Sequence, residues 1–225
     1  MSSASRSQQS RVRDGVVLAL PLAAAVALFG VSFGVLAETS AGMGAVAPIV
    51  MSMTTFAGSA QFAAASVLSA GGGPVTAIVA AVLLNLRYLA IGASVAPSMR
   101  AGPVRRLLIA QLVVDESWAI AARSGGRFEM RVLIGAGLTL WIAWTVSTAI
   151  GVIGGDALGD AESLGLDAAF PALFLALLAP QLRSRRAIAA ALLGAAIGVA
   201  LLPFTPPGVP IIAAAAAALI GWRRR

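Results

Sequence analysis

Apolar residues run along this chain in long blocks separated by short breaks of Gly, Pro or charge. The blocks lie at about 15–37, 45–70, 74–97, 106–122, 131–154, 167–182, 187–203 and 208–222. At about 1.5 Å per residue, a helical run of some 20 residues crosses a hydrocarbon core of about 30 Å. The pattern therefore predicts an all-α integral membrane protein, a helical bundle of about six to eight transmembrane segments, some of them interrupted. Residues 1–13, rich in Ser and Gln, read as a disordered cytoplasmic tail, and 14–225 as one transmembrane domain with its polar motifs concentrated in 45–122. The basic front of the first block and its Val35-Leu36-Ala37 ending share features with a cleavable signal peptide. The block is too long for that and contains Pro21, Gly30 and Gly34, which favours a retained span.

Composition agrees. Of 225 residues, 59% are apolar and 11% charged, where a soluble domain carries about 25% charged residues, and the mean hydropathy is +0.93. Disordered, collagen-like and coiled-coil readings fall with these figures. The chain has no Cys and no His, which removes disulfides, thiolate metal sites, the commonest zinc ligand and the commonest general base. No metal, no cofactor and no enzymatic activity are expected. The net charge of +7 comes entirely from Arg, in short clusters between apolar blocks. Without a basic stripe interleaved with aromatics, it sets topology rather than nucleic-acid binding. An Arg-only, Ala-rich composition also fits codon bias in a GC-rich genome.

Positive loops stay cytoplasmic. Arg123/Arg127/Arg131, Arg183/Arg185/Arg186 and Arg223/Arg224/Arg225 alternate with two Arg-free connections, one holding Asp156, Asp160, Glu162 and Asp167, the other Phe204 to Gly208. Both termini are then expected inside. The first half conflicts with this rule: if 45–70 and 74–97 both cross, Arg100, Arg105 and Arg106 emerge outside. Alternatively, 45–70 enters and leaves on one face, and 106–122 is then also non-crossing or broken. Eight spans, or six plus two interrupted segments, remain open at this point. Non-helical backbone at membrane depth is tolerated where it is buried or lines a cavity, so the interrupted segments are where a substrate path is expected.

These segments carry the polar residues. A continuous helix over 45–70 would align Ser52, Thr55, Ser59, Ser66 and Ser69, with Gln61 off the stripe. Such a stripe serves either close helix packing or a binding surface near the midplane, and Gly58 favours a break that points a half-helix N-terminus at an anionic group. In 74–97, Asn85 and Arg87 stand halfway along an apolar run. An Arg there costs about 2.5–3.5 kcal/mol on insertion scales, so it requires a partner or water. Two positions apart on a helix, the pair faces polar surroundings only if the segment is buried on several sides or locally unwound. Block 106–122 supplies Asp115 and Glu116. Gln111, Asp115 and Trp118 would share one face of a continuous helix, with Glu116 turned away toward Arg123. An Asp115–Arg87 ion pair is the structural reading; a site for a substrate amine or a proton relay is the functional one. Gly30-xxx-Gly34 and Gly194-xxx-Gly198 fit helix packing, as do Trp141 and Trp144; Trp222 before three arginines reads as an interface anchor.

In their order, Leu20-Pro21, Phe29-Gly30, Phe33-Gly34, Phe56-Ala57-Gly58-Ser59-Ala60-Gln61-Phe62, Asn85-Leu86-Arg87 and Asp115-Glu116-Ser117 resemble the AzlC family, over roughly residues 13–125 by motif and beyond that by hydropathy. Where that family's third motif commonly continues with His, this chain has Tyr88. The resemblance implies the large subunit of a branched-chain amino acid exporter of the bacterial plasma membrane, working with a small hydrophobic AzlD-type subunit. A zwitterionic substrate needs donors for its carboxylate, an acceptor for its ammonium group and an apolar pocket. Gly58, Ser59, Gln61, Asn85 and Arg87 could supply the first, Asp115 the second, and Phe56, Phe62 and Trp118 part of the third. Asp115 and Glu116 are the candidates for proton coupling. Arg87 cannot both neutralise Asp115 and clamp a substrate, so the pair is expected to rearrange on binding. Proton antiport is the expected energetics, since no GxxxxGK[ST] loop is present. A channel, a structural subunit of a larger membrane complex, and an intramembrane enzyme using Asp115 and Glu116 are the competing readings; the lack of His and Cys counts against the last.

Overall fold

A computed structural model describes residues 3–124, 126–158, 184–205 and 209–215, together with isolated positions between 175 and 182 and at 217. Helices dominate the described residues: α1 (Ser3–Thr39), α2 (Val46–Thr54), α3 (Gly58–Ser69), α4 (Pro74–Asn85), α5 (Arg87–Val95), α6 (Pro103–Ala110), α7 (Asp115–Ala121), α8 (Met130–Leu158), α9 (Arg185–Leu201) and α10 (Val209–Ala215). Among the described residues, three stretches are long and apolar enough to cross a membrane: Val12–Thr39, Pro74–Ser98 and Met130–Gly155. Blocks 45–70 and 106–122 are instead each broken into two short helices, α2/α3 and α6/α7. The first residues, expected as a disordered tail, continue α1 back to Ser3, because extending a helix that already exists gains about one hydrogen bond per residue fixed. Block 167–182, much of 208–222, most of the acidic loop after Asp156, Arg183, Trp222 and the terminal arginines lie outside the described residues.

The frame is the pair α1 and α8, packed side by side and parallel. Gly15 lies against Val132, Gly30 against Ser147, Gly34 against Thr148 and Val152, and Gly155 against Thr39, so the two chains rise in step. Their backbones approach this closely because glycine presents no side chain at the contact, the same small-residue packing that joins membrane helices generally. Gly30 and Gly34, read in the sequence as a packing motif, sit in this seam. A methyl group at Gly34 would meet the Thr148 carbonyl oxygen and the Val152 amide, both backbone atoms that cannot swing aside. Gly34→Ala is expected to destabilise by about 1–3 kcal/mol. Gly92→Ala, where a methyl meets nothing within 4 Å, is expected to be neutral or to stabilise by up to about 1 kcal/mol through helix propensity. Thermal midpoints of the two variants in detergent compare them directly.

The α1–α8 pair has a basic end, where Arg13 and Arg131 lie, and an opposite end at Thr39. From the Thr39 end α2 runs inward: Ser52 Oγ is 3.0 Å from Thr148 Oγ1, and the Met53 carbonyl accepts from Trp141 Nε1 at 3.0 Å. α3 turns back, with Phe62 against Phe33 of α1. α4 and α5 then descend to the basic end, where Val95 packs with Leu133 and Ser98 Oγ accepts from the Phe128 amide at 3.4 Å. α6 climbs from there until Gln111 Nε2 reaches the Met53 carbonyl at 3.2 Å. α7 returns, and the Ala121 carbonyl accepts from the Glu129 amide at 3.0 Å. A two-residue ribbon, Ala122–Arg123 with Arg127–Phe128, leads into α8.

Two helical hairpins thus enter from opposite ends and meet in the middle, beside a third segment that runs through. Of the two arrangements open in the sequence, this is the one with both blocks folded back, and it returns the Arg100 segment to the end that holds Arg123, Arg127 and Arg131. The hairpin order also repeats: α1 followed by a hairpin from its far end, then α4–α5 followed by a hairpin from theirs, with the direction inverted, a pattern known from transporter folds. Behind the hairpin tips lies an aromatic core, in which Phe33 stacks on Trp144 with ring centroids 5.9 Å apart and Phe62 meets both edge-on.

Candidate functional site

Each hairpin tip exists because the chain leaves helical geometry at a particular place. Between α2 and α3, Phe56 adopts φ 41, a left-handed conformation uncommon for any residue with a side chain and strained for a bulky one. Gln61 holds this break from within. Fully buried, its Oε1 accepts from the Ala57 amide at 3.2 Å and from Trp144 Nε1 at 3.0 Å, while its Nε2 donates to Ser52 Oγ at 2.9 Å. Ser52 continues to Thr148, whose hydroxyl donates to the Trp144 carbonyl at 2.8 Å. Between α6 and α7 the interruption spans Gln111–Val114, and Ser117 caps α7 by accepting from the Val114 amide at 3.0 Å. At Leu86 the through-running segment only tightens: the Leu86 amide bonds the Leu83 carbonyl and the Leu89 amide the Leu86 carbonyl. This tightened turn separates α4, which ends at Asn85, from α5, which begins at Arg87.

The N-terminal ends of α3, α5 and α7 converge on a cavity of about 70 Å³. Its polar wall is Gly58, Ser59, Arg87, Tyr88, Asp115 and Glu116; its apolar wall comes from Val26 and Phe29 of α1, from Phe56 and Val114, and from Leu140 and Trp144 of α8. Arg87 is the hub. Its Nη2 lies 2.9 Å from Asp115 Oδ2 and donates to Ser59 Oγ at 2.8 Å, and its guanidinium carbon stands 5.1 Å from the centre of the Tyr88 ring, in cation–π range. Arg87 Nε is buried without a hydrogen-bond partner. The cavity therefore holds one cation and two carboxylates against an apolar wall. First-turn amides of α3 have no intrahelical acceptor, and Gly58 and Ser59 present that turn to the cavity.

Six of the residues offered in the sequence as substrate or proton ligands meet here: Phe56, Gly58, Ser59, Arg87, Asp115 and Glu116. Glu116, expected to turn toward Arg123, lines the cavity beside Asp115 at the start of α7; α7 ends at Ala121, and Arg123, in the ribbon beyond it, bonds the Ile120 and Ala122 carbonyls. The hydroxyl stripe over 45–70 is likewise split by the break, Ser52 going to the network below and Ser59 to Arg87. Gln61 and Phe62 lie in the core beneath the cavity, outside its wall. Asn85 lines a second, larger cavity. Trp118 is elsewhere, its indole donating to Ser94 Oγ at 2.9 Å and its ring against Phe128, and Gln111 no longer shares its face. Tyr88 is the residue sequence reasoning missed as part of the site; its signal was its place next to an intramembrane Arg. Among the described residues, no group of His, Cys, Asp and Glu is arranged to hold a metal ion.

The sequence matches the family model described as AzlC protein over residues 21–158. The chain belongs to the AzlC family. A relative named "Uncharacterized membrane protein" from Archaeoglobus fulgidus is 33% identical over 224 residues, covering 97% of this chain and 98% of that one. The "Branched-chain amino acid transport protein AzlC" of Bacillus subtilis is 29% identical over 197 residues, covering 84% of this chain and 75% of its own. No solved structure matches the chain. The family match runs from Pro21 to Leu158 and so contains both hairpins and every residue of the AzlC-family cavity described above. The apolar helices and the membrane-protein relatives place the chain in the membrane.

Proposed function

We propose that this chain is the large subunit of a secondary transporter that exports branched-chain and other hydrophobic amino acids by proton antiport, together with a small hydrophobic AzlD-type subunit. The observation that carries this reading is the cavity where the hairpin tips meet, with opposite charges on one wall and apolar side chains on the other. A hydrophobic amino acid has the same division. Its ammonium group would take Asp115, its carboxylate Arg87, Ser59 Oγ and the first turn of α3, and its side chain Phe29, Phe56 and Leu140. The Bacillus subtilis relative bears a branched-chain transport name, which supports the substrate class.

The volume of about 70 Å³ falls well below the roughly 300–1,000 Å³ of common small-molecule sites. Substrate entry therefore requires the Arg87–Asp115 pair to part. With one cation facing two carboxylates, Glu116 is the surplus negative charge, the arrangement a proton carrier needs. Orientation follows from the arginines: the basic end faces the cytoplasm of a bacterial plasma membrane, α1 starts there, and both termini are inside.

Binding is tested on purified protein. Leucine, isoleucine, valine and methionine are expected to raise the melting temperature in detergent, the stabilisation reaching about 2.7 kcal/mol at a hundred times Kd, while serine and glutamate leave it unchanged. A shift of equal size with serine, or none with any of the four, contradicts the substrate assignment. Glu116→Gln is expected to keep substrate exchange and lose its pH dependence; measured from pH 5 to 8 in proteoliposomes, an unchanged profile would remove Glu116 from proton coupling.

A further inference from the structure

Beyond the central cavity lies a larger one, of about 510 Å³, that extends from Met99 and Arg106 at the basic end to Asn85 and Gly92 halfway along α4–α5. Phe56 and Tyr88 line both cavities. Between the two spaces, therefore, stand these two aromatic side chains. On the far side of the central cavity the barrier is much thicker: the buried Phe33–Phe62–Trp144 cluster and the Gln61 network fill the way to the Thr39 end. The two barriers differ in kind as well. The thick one is a packed aromatic core braced by the Gln61 network, whereas the thin one combines a residue on strained backbone, Phe56 at φ 41, with one beside the tightened turn at Leu86, Tyr88.

We propose that Phe56 and Tyr88 are the gate between the central cavity and a vestibule that opens at the basic end, and that substrate passes through this vestibule to reach Arg87 and Asp115. The inference rests on the transport reading above and adds a route, a gate and the state of the molecule, closed by a thin gate on the basic side. The vestibule suits the same class of substrate. Arg106 lies at its outer part, Met99, Leu107 and Val113 supply apolar wall, and Asn85, whose Oδ1 is buried without a partner, stands beside the gate. An amide oxygen there is an acceptor for an ammonium group. Swinging the Tyr88 ring would also withdraw its face from the Arg87 guanidinium, so that opening the gate and loosening the Arg87–Asp115 pair become one event.

The chain contains no Cys, so single cysteines can be placed without a background. Gly92→Cys reports on the vestibule, where an added side chain meets nothing within 4 Å, and Ser59→Cys reports on the central cavity. With a charged, membrane-impermeant thiol reagent added at the basic face, Gly92→Cys is expected to react at least about tenfold faster than Ser59→Cys, a barrier difference of some 1.4 kcal/mol. Opening the gate by Tyr88→Ala, or by Phe56→Gly, which suits the left-handed backbone, is expected to accelerate Ser59→Cys by a similar factor from the basic face alone. Tyr88→Phe keeps the ring but loses the hydroxyl's 3.5 Å contacts with Asp115 Oδ2 and Arg87 Nη2, and is expected to accelerate Ser59→Cys less than Tyr88→Ala does. Equal rates for Gly92→Cys and Ser59→Cys, no acceleration by either opening variant in protein verified as folded, or acceleration from both faces alike would overturn the gate. Labelling needs no substrate. The expected pattern without amino acid exchange would keep the gate and defeat the transport reading; exchange with a Ser59→Cys rate indifferent to Tyr88 would do the reverse.

Discussion

Asp115→Asn is expected to lower exchange of hydrophobic amino acids by roughly hundredfold, about 2.7 kcal/mol, the size of one charge-assisted hydrogen bond. The substitution keeps the shape of the side chain and removes its charge. Two things are lost together: the counter-charge 2.9 Å from Arg87 and the acceptor proposed for the substrate's ammonium group. A purely structural ion pair would also suffer, because an unpaired guanidinium in an apolar segment is costly. The double variant Arg87→Gln/Asp115→Asn separates the cases. Neutral on both sides, it is expected to recover the melting temperature lost in the single variant and to remain without exchange. If Asp115→Asn exchanges substrate at the wild-type rate with the wild-type pH dependence, this carboxylate has no part in transport.

The largest effect on folding is expected at Gln61. Gln61→Leu leaves the Ala57 amide, the Trp144 indole and the Ser52 hydroxyl each short of a partner, in a place from which water is excluded. An unsatisfied buried group costs about 1–3 kcal/mol; the amide and the indole lose their acceptor while Ser52 keeps Thr148, so the loss is expected to be roughly 2–6 kcal/mol, enough to deplete the folded protein in detergent. Thr148→Val, which removes one bond at the edge of the same network, is expected to cost about 1 kcal/mol. Melting curves of the two variants measure the contrast; equal, small losses would mean that the break between α2 and α3 is held by something else.

How far the sequence carried the reading depends on what each residue's partner was. Arg87 and Asp115 were legible as a pair because an ionised group in an apolar segment must find one, whatever the fold. The foldback of both interrupted blocks was one of two arrangements the arginines left open, the one that returns Arg100, Arg105 and Arg106 to the basic face. Gly58 marked the first break, with α3 starting at it. The second break carried no such mark: Gln111-Leu112-Val113-Val114 contains neither Gly nor Pro, so Gln111 was aligned with Asp115 and Trp118 as on one continuous helix, and nothing in the pattern showed that α7 ends at Ala121, short of Arg123. Gln61 read as a ligand donor because an amide in an apolar run suggests one. Its partners Trp144 and, through Ser52, Thr148 lie more than 80 residues away, and no local pattern reports them. Tyr88 was noted only for replacing a family histidine, and its place between two cavities is a property of three segments at once.

The central claim is that an AzlC-family chain exchanges hydrophobic amino acids at Arg87 and Asp115. Counterflow of labelled leucine, isoleucine, valine and methionine into vesicles tests it most directly, with this chain alone, with the proposed AzlD-type subunit added, and with Asp115→Asn in both settings. The account predicts saturable exchange that requires both chains and falls by roughly hundredfold with the substitution. No exchange of any of the four in vesicles holding verified folded protein, or exchange untouched by Asp115→Asn, would contradict it.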